Sequence, residues 1–253
     1  MATTFKTFLN DDVVSTRSLL NEYIPVTGTI VTGTYADSNI KNYTHGMFQS
    51  VYDYPYLSSS ANHIFDITVG LSPNSSLSSS ANNQNSKKIN IYNQMAQVLV
   101  GNDVTGSILE FDQDGDILAG GNKLREVFFL NFSRLLVKDE IKKDSFRLVI
   151  GTGSYSTPFT GTLKTVGDYN AQNEYRVNSP AGEYGILYTS SVNITTGSGV
   201  GLLYYQAGVA VITSSIFNQS VIDSTKIGTT SVNQAFTGSS IQTISNGIRR
   251  FDC

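Results

Sequence analysis

Between residues 146 and 213 one pattern recurs: a short run of β-branched, aromatic and aliphatic residues, closed by Gly, Ser or Asn. Residues 146–150 (Phe-Arg-Leu-Val-Ile), 162–166, 174–177, 185–192 and 202–213 all follow it. Runs this short and this rich in Val, Ile, Leu, Tyr and Phe suit a pleated, half-buried surface, and the polar breaks suit turns. Residues 185–192 and 202–209 flank a Gly/Thr/Ser connection and predict an antiparallel pair. Residues 202–213, with Tyr204, Tyr205, Val209, Val211 and Ile212, read as one long strand.

The same chemistry appears earlier. Residues 26–35 (Val-Thr-Gly-Thr-Ile-Val-Thr-Gly-Thr-Tyr) are strand-like, with bends at Gly28 and Gly33. Residues 64–71 read as another strand. Before residue 24 there is room for one short helix, capped near Asn10, Asp11 or Asp12 and stopped by Pro25. Residues 72–86, dominated by Ser and Asn, read as a surface loop.

Two helices are expected in the middle. The first is capped by Asn90, shows Ile91, Met95, Val98 and Leu99 on one face, and stops at Gly101. The second runs from about 122 to 142. Leu124, Phe128, Phe132, Leu135 and Leu136 mark its stripe, and Val127, Phe129 and Leu130 widen it, so it would be buried on more than one side. The expected class is α+β, mainly β: β-sandwich-like antiparallel sheets, two central helices near 90–100 and 122–142, and an N-terminal arm. Residues 1–42 form the arm, with its short helix and first strand. Residues 43–253 form the principal β-rich domain.

Charged residues are only 15% of the 253, against about 25% in ordinary soluble domains. Such a surface can join others without desolvating many charges. The net charge of −3 and the pI near 5.3 argue against a nucleic-acid footprint, and the densest basic run, 138–143, is broken by Asp139 and Glu140. No stretch approaches the ~18 consecutive apolar residues of a spanning helix, so no membrane partner is expected. The first residues lack a signal-peptide pattern. The lone Cys253 excludes an intrachain disulfide framework.

Little in the chain suggests catalysis. Asp112-Gln-Asp-Gly-Asp116 places carboxylates at alternate positions, as a calcium loop does, but Ile117 stands where that loop needs Gly and Lys123 where it needs Glu. It reads as an acidic, solvated turn. His45 and His63 are the only histidines. A metal would need both, with carboxylates such as Asp53 or Asp66 beside them, and they read instead as packed or hydrogen-bonded imidazoles. Gly151-Thr-Gly-Ser154 is not a nucleophile elbow, and Gly197-Ser-Gly-Val-Gly201 has neither dinucleotide nor P-loop spacing. No enzyme activity, cofactor or metal is expected. The dense aromatics instead suggest contacts: Tyr43, Phe48, Tyr52, Tyr54 and Tyr56 in one segment, Phe128, Phe129 and Phe132 in the second helix, and Tyr204 and Tyr205 in the long strand. Which of these form core and which interface is left open by the sequence.

Five strings carry a resemblance. They are Thr29-Ile-Val-Thr-Gly-Thr-Tyr-Ala-Asp-Ser-Asn-Ile-Lys-Asn-Tyr43, His45-Gly-Met-Phe-Gln-Ser-Val-Tyr-Asp-Tyr-Pro-Tyr-Leu-Ser58, Phe128-Phe-Leu-Asn-Phe-Ser-Arg-Leu-Leu-Val-Lys-Asp-Glu-Ile-Lys142, Tyr175-Arg-Val-Asn-Ser-Pro-Ala-Gly-Glu-Tyr-Gly-Ile-Leu-Tyr188 and Gly201-Leu-Leu-Tyr-Tyr-Gln-Ala-Gly-Val-Ala210. Together they resemble an uncharacterised family of virion structural proteins of large marine contractile-tailed phages, notably cyanophages. The resemblance implies a virion component assembled in the host cytoplasm, with a tail or baseplate position favoured over neck or head. It implies other virion structural proteins as partners, a homo-oligomer or ring, and a native chain that continues past Cys253. The alternative is a receptor- or carbohydrate-binding module of the particle.

Overall fold

The stretch expected to form the second helix is a strand. In the computed structural model β4 spans Glu126–Phe132, and only a single helical turn, α2 (Arg134–Val137), follows it. The structure describes residues 40–43, 47–79, 83–116, 120–137, 139–151, 163–189, 198–217 and 251–252. The expected short helix and the strand at 26–35 lie outside these residues, as do His45 and the stretch 218–250.

Eight strands form one antiparallel sheet in the order β1-β2-β3-β4-β10-β9-β8-β7. They are β1 (Ile40–Asn42), β2 (Gln49–Tyr52), β3 (His63–Leu71), β4, β7 (Arg176–Ser179), β8 (Gly182–Leu187), β9 (Gly201–Tyr204) and β10 (Val209–Thr213). A smaller sheet joins β5 (Arg147–Gly151) to β6 (Leu163–Gly167), with β11 (Phe251–Asp252) on the outer side of β5. The chain is mainly β, and the expected pairing of β8 with β9 is present, with Leu187 opposite Gly201 and Tyr184 opposite Tyr204. The expected long strand 202–213 is instead a hairpin. A turn after Tyr204, with Gly208 at φ 67°, folds β10 back onto β9, a backbone conformation that favours Gly.

The large sheet is buried on both faces. One face carries Phe65, Ile67, Val69 and Leu71 of β3, Phe128 and Leu130 of β4, Ala210 and Ile212 of β10, Leu203 and Tyr205. Leu148 of β5 and Val166 of β6 join that cluster, so the small sheet covers this face. The opposite face carries Val127 and Phe129, Val209 and Val211, Leu202 and Tyr204, Tyr184 and Ile186. It is covered by α1 (Asn83–Leu99), which contributes Tyr92, Ala96 and Leu99, and by Phe111 and Leu124. Two facing sheets with a helix on the far side make the sandwich-like, mainly β arrangement.

Helix α1 begins seven residues before the expected Asn90 cap, so Asn90 lies within it. It closes as expected at Gly101 (φ 97°), where the amides of Val100 and Gly101 both donate to Ala96 O. Lys88 lies in the same buried stripe, and burial pushes its ammonium down to about 8. The serine-rich stretch before α1 is not simply a surface loop. Ser72 and Ser75 are buried, and their hydroxyls donate to the carboxylates of Glu110 and Glu126. Among the described residues no helix is long and apolar enough to cross a membrane.

Candidate functional site

The segment that the sequence singles out for its aromatics forms the β1–β2–β3 end of the large sheet. Tyr43 follows β1 and Phe48 precedes β2, and their ring centroids lie 4.7 Å apart. Lys41 Nζ stands 5.1 Å from the Tyr43 ring, and the Tyr43 and Ser50 hydroxyls are 3.2 Å apart. Tyr52, at the end of β2, lies 5.4 Å from the His63 ring and 6.3 Å from Tyr56. These aromatics are half-buried, which leaves each with a packed side and a wet side.

The β2–β3 connection is held by one carboxylate. Asp53 Oδ1 accepts the amides of Asn62 (2.6 Å) and Tyr54 (2.8 Å), and Oδ2 accepts Asn62 Nδ2 (2.8 Å). The Asp53 amide donates back to Asn62 O at 3.1 Å. The loop so closed carries Tyr54 at 44% exposure and Leu57 at 87%. Two apolar side chains on a braced loop beside half-buried rings make a pre-ordered contact surface.

The same end of the sheet holds a serine, an aspartate and a histidine. Ser50 Oγ donates to Asp66 Oδ1 at 2.5 Å, and His63 Nε2 lies 2.9 Å from the same oxygen. A serine nucleophile needs the imidazole between the carboxylate and the hydroxyl. Here the carboxylate lies in the middle, and Ser50 is buried. The trio braces β2 against β3 and has no arrangement for acyl transfer. Burial raises the Asp66 pKa, but the hydrogen bonds from His63 and Ser50 outweigh it and hold the group below its ordinary 3.8. The folded state thus binds fewer protons than the unfolded state in this window. The stabilisation is present above pH ~4 and is lost as pH falls through the folded pKa. Ser50→Ala is expected to raise the Asp66 pKa and move this loss to higher pH, as read from carboxyl chemical shifts and the urea midpoint across pH 2–5.

The acidic turn is not fully solvated. Asp112 is buried, and its carboxylate pairs with Lys123 across an isolated β-bridge. Carboxylate oxygens of Asp112, Asp114 and Asp116 lie within 4.8 Å of one another. Burial, then the Asp114 carboxyl, pushes Asp112 above the usual range against the pull of Lys123. The lysine at the twelfth position, where a calcium loop carries its bidentate glutamate, thus places an internal cation on the buried carboxylate.

Of the other expected contact residues, Phe128, Phe129, Tyr204 and Tyr205 are each at most 1% exposed and pack inside the chain. Phe132 is half-buried against Phe65 (5.9 Å) and Phe146 (5.5 Å). Asp53 and Asp66 stand out in the sequence only as carboxylates for a histidine metal site, and their bracing roles go unseen there. The signal available for Asp66 was a lone carboxylate inside an apolar strand. Comparison with protein-family models, with curated proteins and with solved structures finds no match to this chain.

Proposed function

We propose that this chain is a non-enzymatic structural subunit of a phage particle, a tail or baseplate component that works through assembly contacts. The observation that carries the assembly part is the braced loop displaying Tyr54 and Leu57 beside the half-buried rings of Tyr43, Phe48, Tyr52 and Tyr56. Charge is scarce in the chain, which favours contacts that desolvate few ions. The five strings quoted above supply the virion part. A ring or other closed homo-oligomer is the expected state, since closed symmetry prevails among repeated subunits.

The test pairs location with oligomeric state. Mass spectra of purified particles are expected to contain the protein, and native mass spectrometry of the full chain to give a multimer. Tyr54→Ala with Leu57→Ser removes exposed groups only, so the unfolding midpoint is expected to stay put while association weakens at least tenfold, the scale of a small anchor cluster. A monomeric wild type that is absent from particles would sink the reading.

A further inference from the structure

Asp112 and Lys123 face each other across an isolated antiparallel β-bridge. The Gln113 amide donates to Asn122 O at 3.0 Å and the Leu124 amide to Phe111 O at 2.9 Å, so the pair between them is of the non-hydrogen-bonded kind. That kind brings opposite side chains closest together. Lys123 Nζ accordingly contacts Asp112 Oδ2. The contact is dry: the Lys123 side chain is 10% exposed and that of Asp112 1%. Their sequence neighbours Phe111 and Leu124 anchor the bridge in the core.

The rest of the turn fixes the carboxyl group. Asp112 Oδ1 accepts the Asp114 amide at 3.2 Å. The Asp114 carboxyl hydrogen-bonds that of Asp112, and its Oδ1 accepts the Asp116 amide at 3.3 Å. Tyr184 of β8 donates its hydroxyl to Gly115 O, and Gln113 Nε2 donates to Gly199 O on the way into β9, each at 2.8 Å. Burial, then the Asp114 carboxyl, pushes Asp112 up, while the hydrogen bond with Asp112 pulls Asp114 down. The proton they share therefore rests on Asp112, which leaves a neutral acid next to a carboxylate base. An amine, a carboxyl group and a neighbour that moves protons between them, held together away from water, are the parts of an amide condensation.

We propose that Lys123 and Asp112 join in an intramolecular isopeptide bond, formed by the folded chain itself with Asp114 as the proton relay. The Nζ lone pair forms the new bond to Asp112 Cγ, and Oδ1 takes the negative charge of the tetrahedral intermediate, facing the Asp114 amide. The Cγ–Oδ2 bond then breaks and its electron pair leaves with Oδ2. Of the three ammonium protons, two pass by way of Asp114 to Oδ2, which departs as water, and one stays on the amide nitrogen. Free ammonium and carboxylate do not condense in water. Here fixed proximity supplies an effective concentration on the order of 10⁵–10⁸ M. The product also replaces a buried ion pair, costly to desolvate, with a neutral amide. The bond closes residues 112–123 into a covalent ring that denaturant alone does not open. It needs only the fold, so this reading and the assembly reading fail separately.

The test is the intact mass of the full chain, denatured after purification. It is expected to fall short of the sequence mass by one water. Trypsin should no longer cut after Lys123, so residues 89–123 should appear only within a longer peptide, 89–125, that is also one water light. Lys123→Arg keeps a cation on Asp112 but supplies no condensing amine, and should run at full mass. Asp114→Asn keeps the Asp112–Lys123 pair and removes the relay. It should form the bond about 10²–10⁴-fold more slowly, the scale of a general acid–base group, and leave freshly purified chain mostly unjoined. A wild-type chain at full mass overturns the proposal. So does a missing water that persists in Lys123→Arg, which marks a cyclic imide at Asp114–Gly115 instead. An Asp114→Asn chain joined as fully as wild type overturns the relay.

Discussion

Asp168→Ala is expected to cost about 3–5 kcal/mol of folding stability, since it leaves several buried donors without their acceptor at about 1–3 kcal/mol each. The side chain is fully buried at the end of β6, and four donors converge on it. Oδ2 accepts the Asp144 amide at 2.7 Å and the Tyr205 hydroxyl at 3.2 Å. Oδ1 accepts the Phe146 amide and Arg147 Nη1, each at 3.0 Å. Alanine would leave two amides and a phenol without their acceptor around a small void, while the part-exposed Arg147 keeps Phe146 O and Asp144. Asn is not a remedy, since its amide nitrogen would face donors. The carboxylate also links the two sheets: it stands just after β6, braces the loop entering β5, and reaches Tyr205 just after β9. Next to it the Gly167 and Tyr188 backbones exchange hydrogen bonds of 2.9 and 2.8 Å. Burial raises the Asp168 pKa, and the amides, Tyr205 and Arg147 oppose that rise. Tyr205→Phe removes one donor and leaves the rest, so it should cost only about 0.5–1.5 kcal/mol. Urea midpoints at constant m-value measure both. An Asp168→Ala cost below that of Tyr205→Phe would refute the carboxylate's central place.

The strands that could be read from sequence are those whose neighbours mark their ends. β5, β6 and β8 each begin or end at Gly or a charged residue, β3 stops just before Ser72, and their local composition already suits a sheet. β4 could not be read this way. Its Val127-Phe-Phe-Leu130 run is apolar at every position because both faces of the sheet are covered, so the two-residue alternation disappears. A continuous run followed by Leu135 and Leu136 fits a wide helical stripe equally well, and only the partners β3 and β10, about 60 and 80 residues away in sequence, decide for a strand. The same distance problem hid Ser72 and Ser75. Serine-rich sequence looks solvated until Glu110 and Glu126, 38 and 51 residues on, supply carboxylates to bond. At the candidate site the aromatic density was legible, but its division was not. Tyr54 and Tyr204 are the same residue type, and tertiary packing alone exposes one and buries the other. Asp53 looked like any turn aspartate, because its role depends on Asn62 folding back across the loop.

Phe129→Ala is expected to cost about 3–5 kcal/mol, and Phe128→Ala a similar amount, the usual range for deleting a fully buried ring. Adjacent residues that are both indispensable follow from the strand. Phe128 points into the layer with Val69 and Ile212 beside it in register, and Phe129 points into the opposite layer beside Thr68 and Val211. The two rings lie in separate layers, so the double variant should be nearly additive. Gly70 gives the complementary test. A Cβ built there would overlap the Phe129 ring edge and touch Tyr92 Cβ of α1, so the strand approaches the ring closely at the one position without a side chain. Gly70→Ala should therefore cost about 1–3 kcal/mol through overpacking. In a Phe129→Leu background the new methyl gains room, and the cost of Gly70→Ala should shrink by a large fraction. A helix over 122–142 gives no reason for that coupling, because nothing in it places residue 129 against residue 70. Equal Gly70→Ala costs in the wild-type and Phe129→Leu backgrounds, measured by denaturant unfolding, would remove the ring from that contact and with it the β3–β4 register.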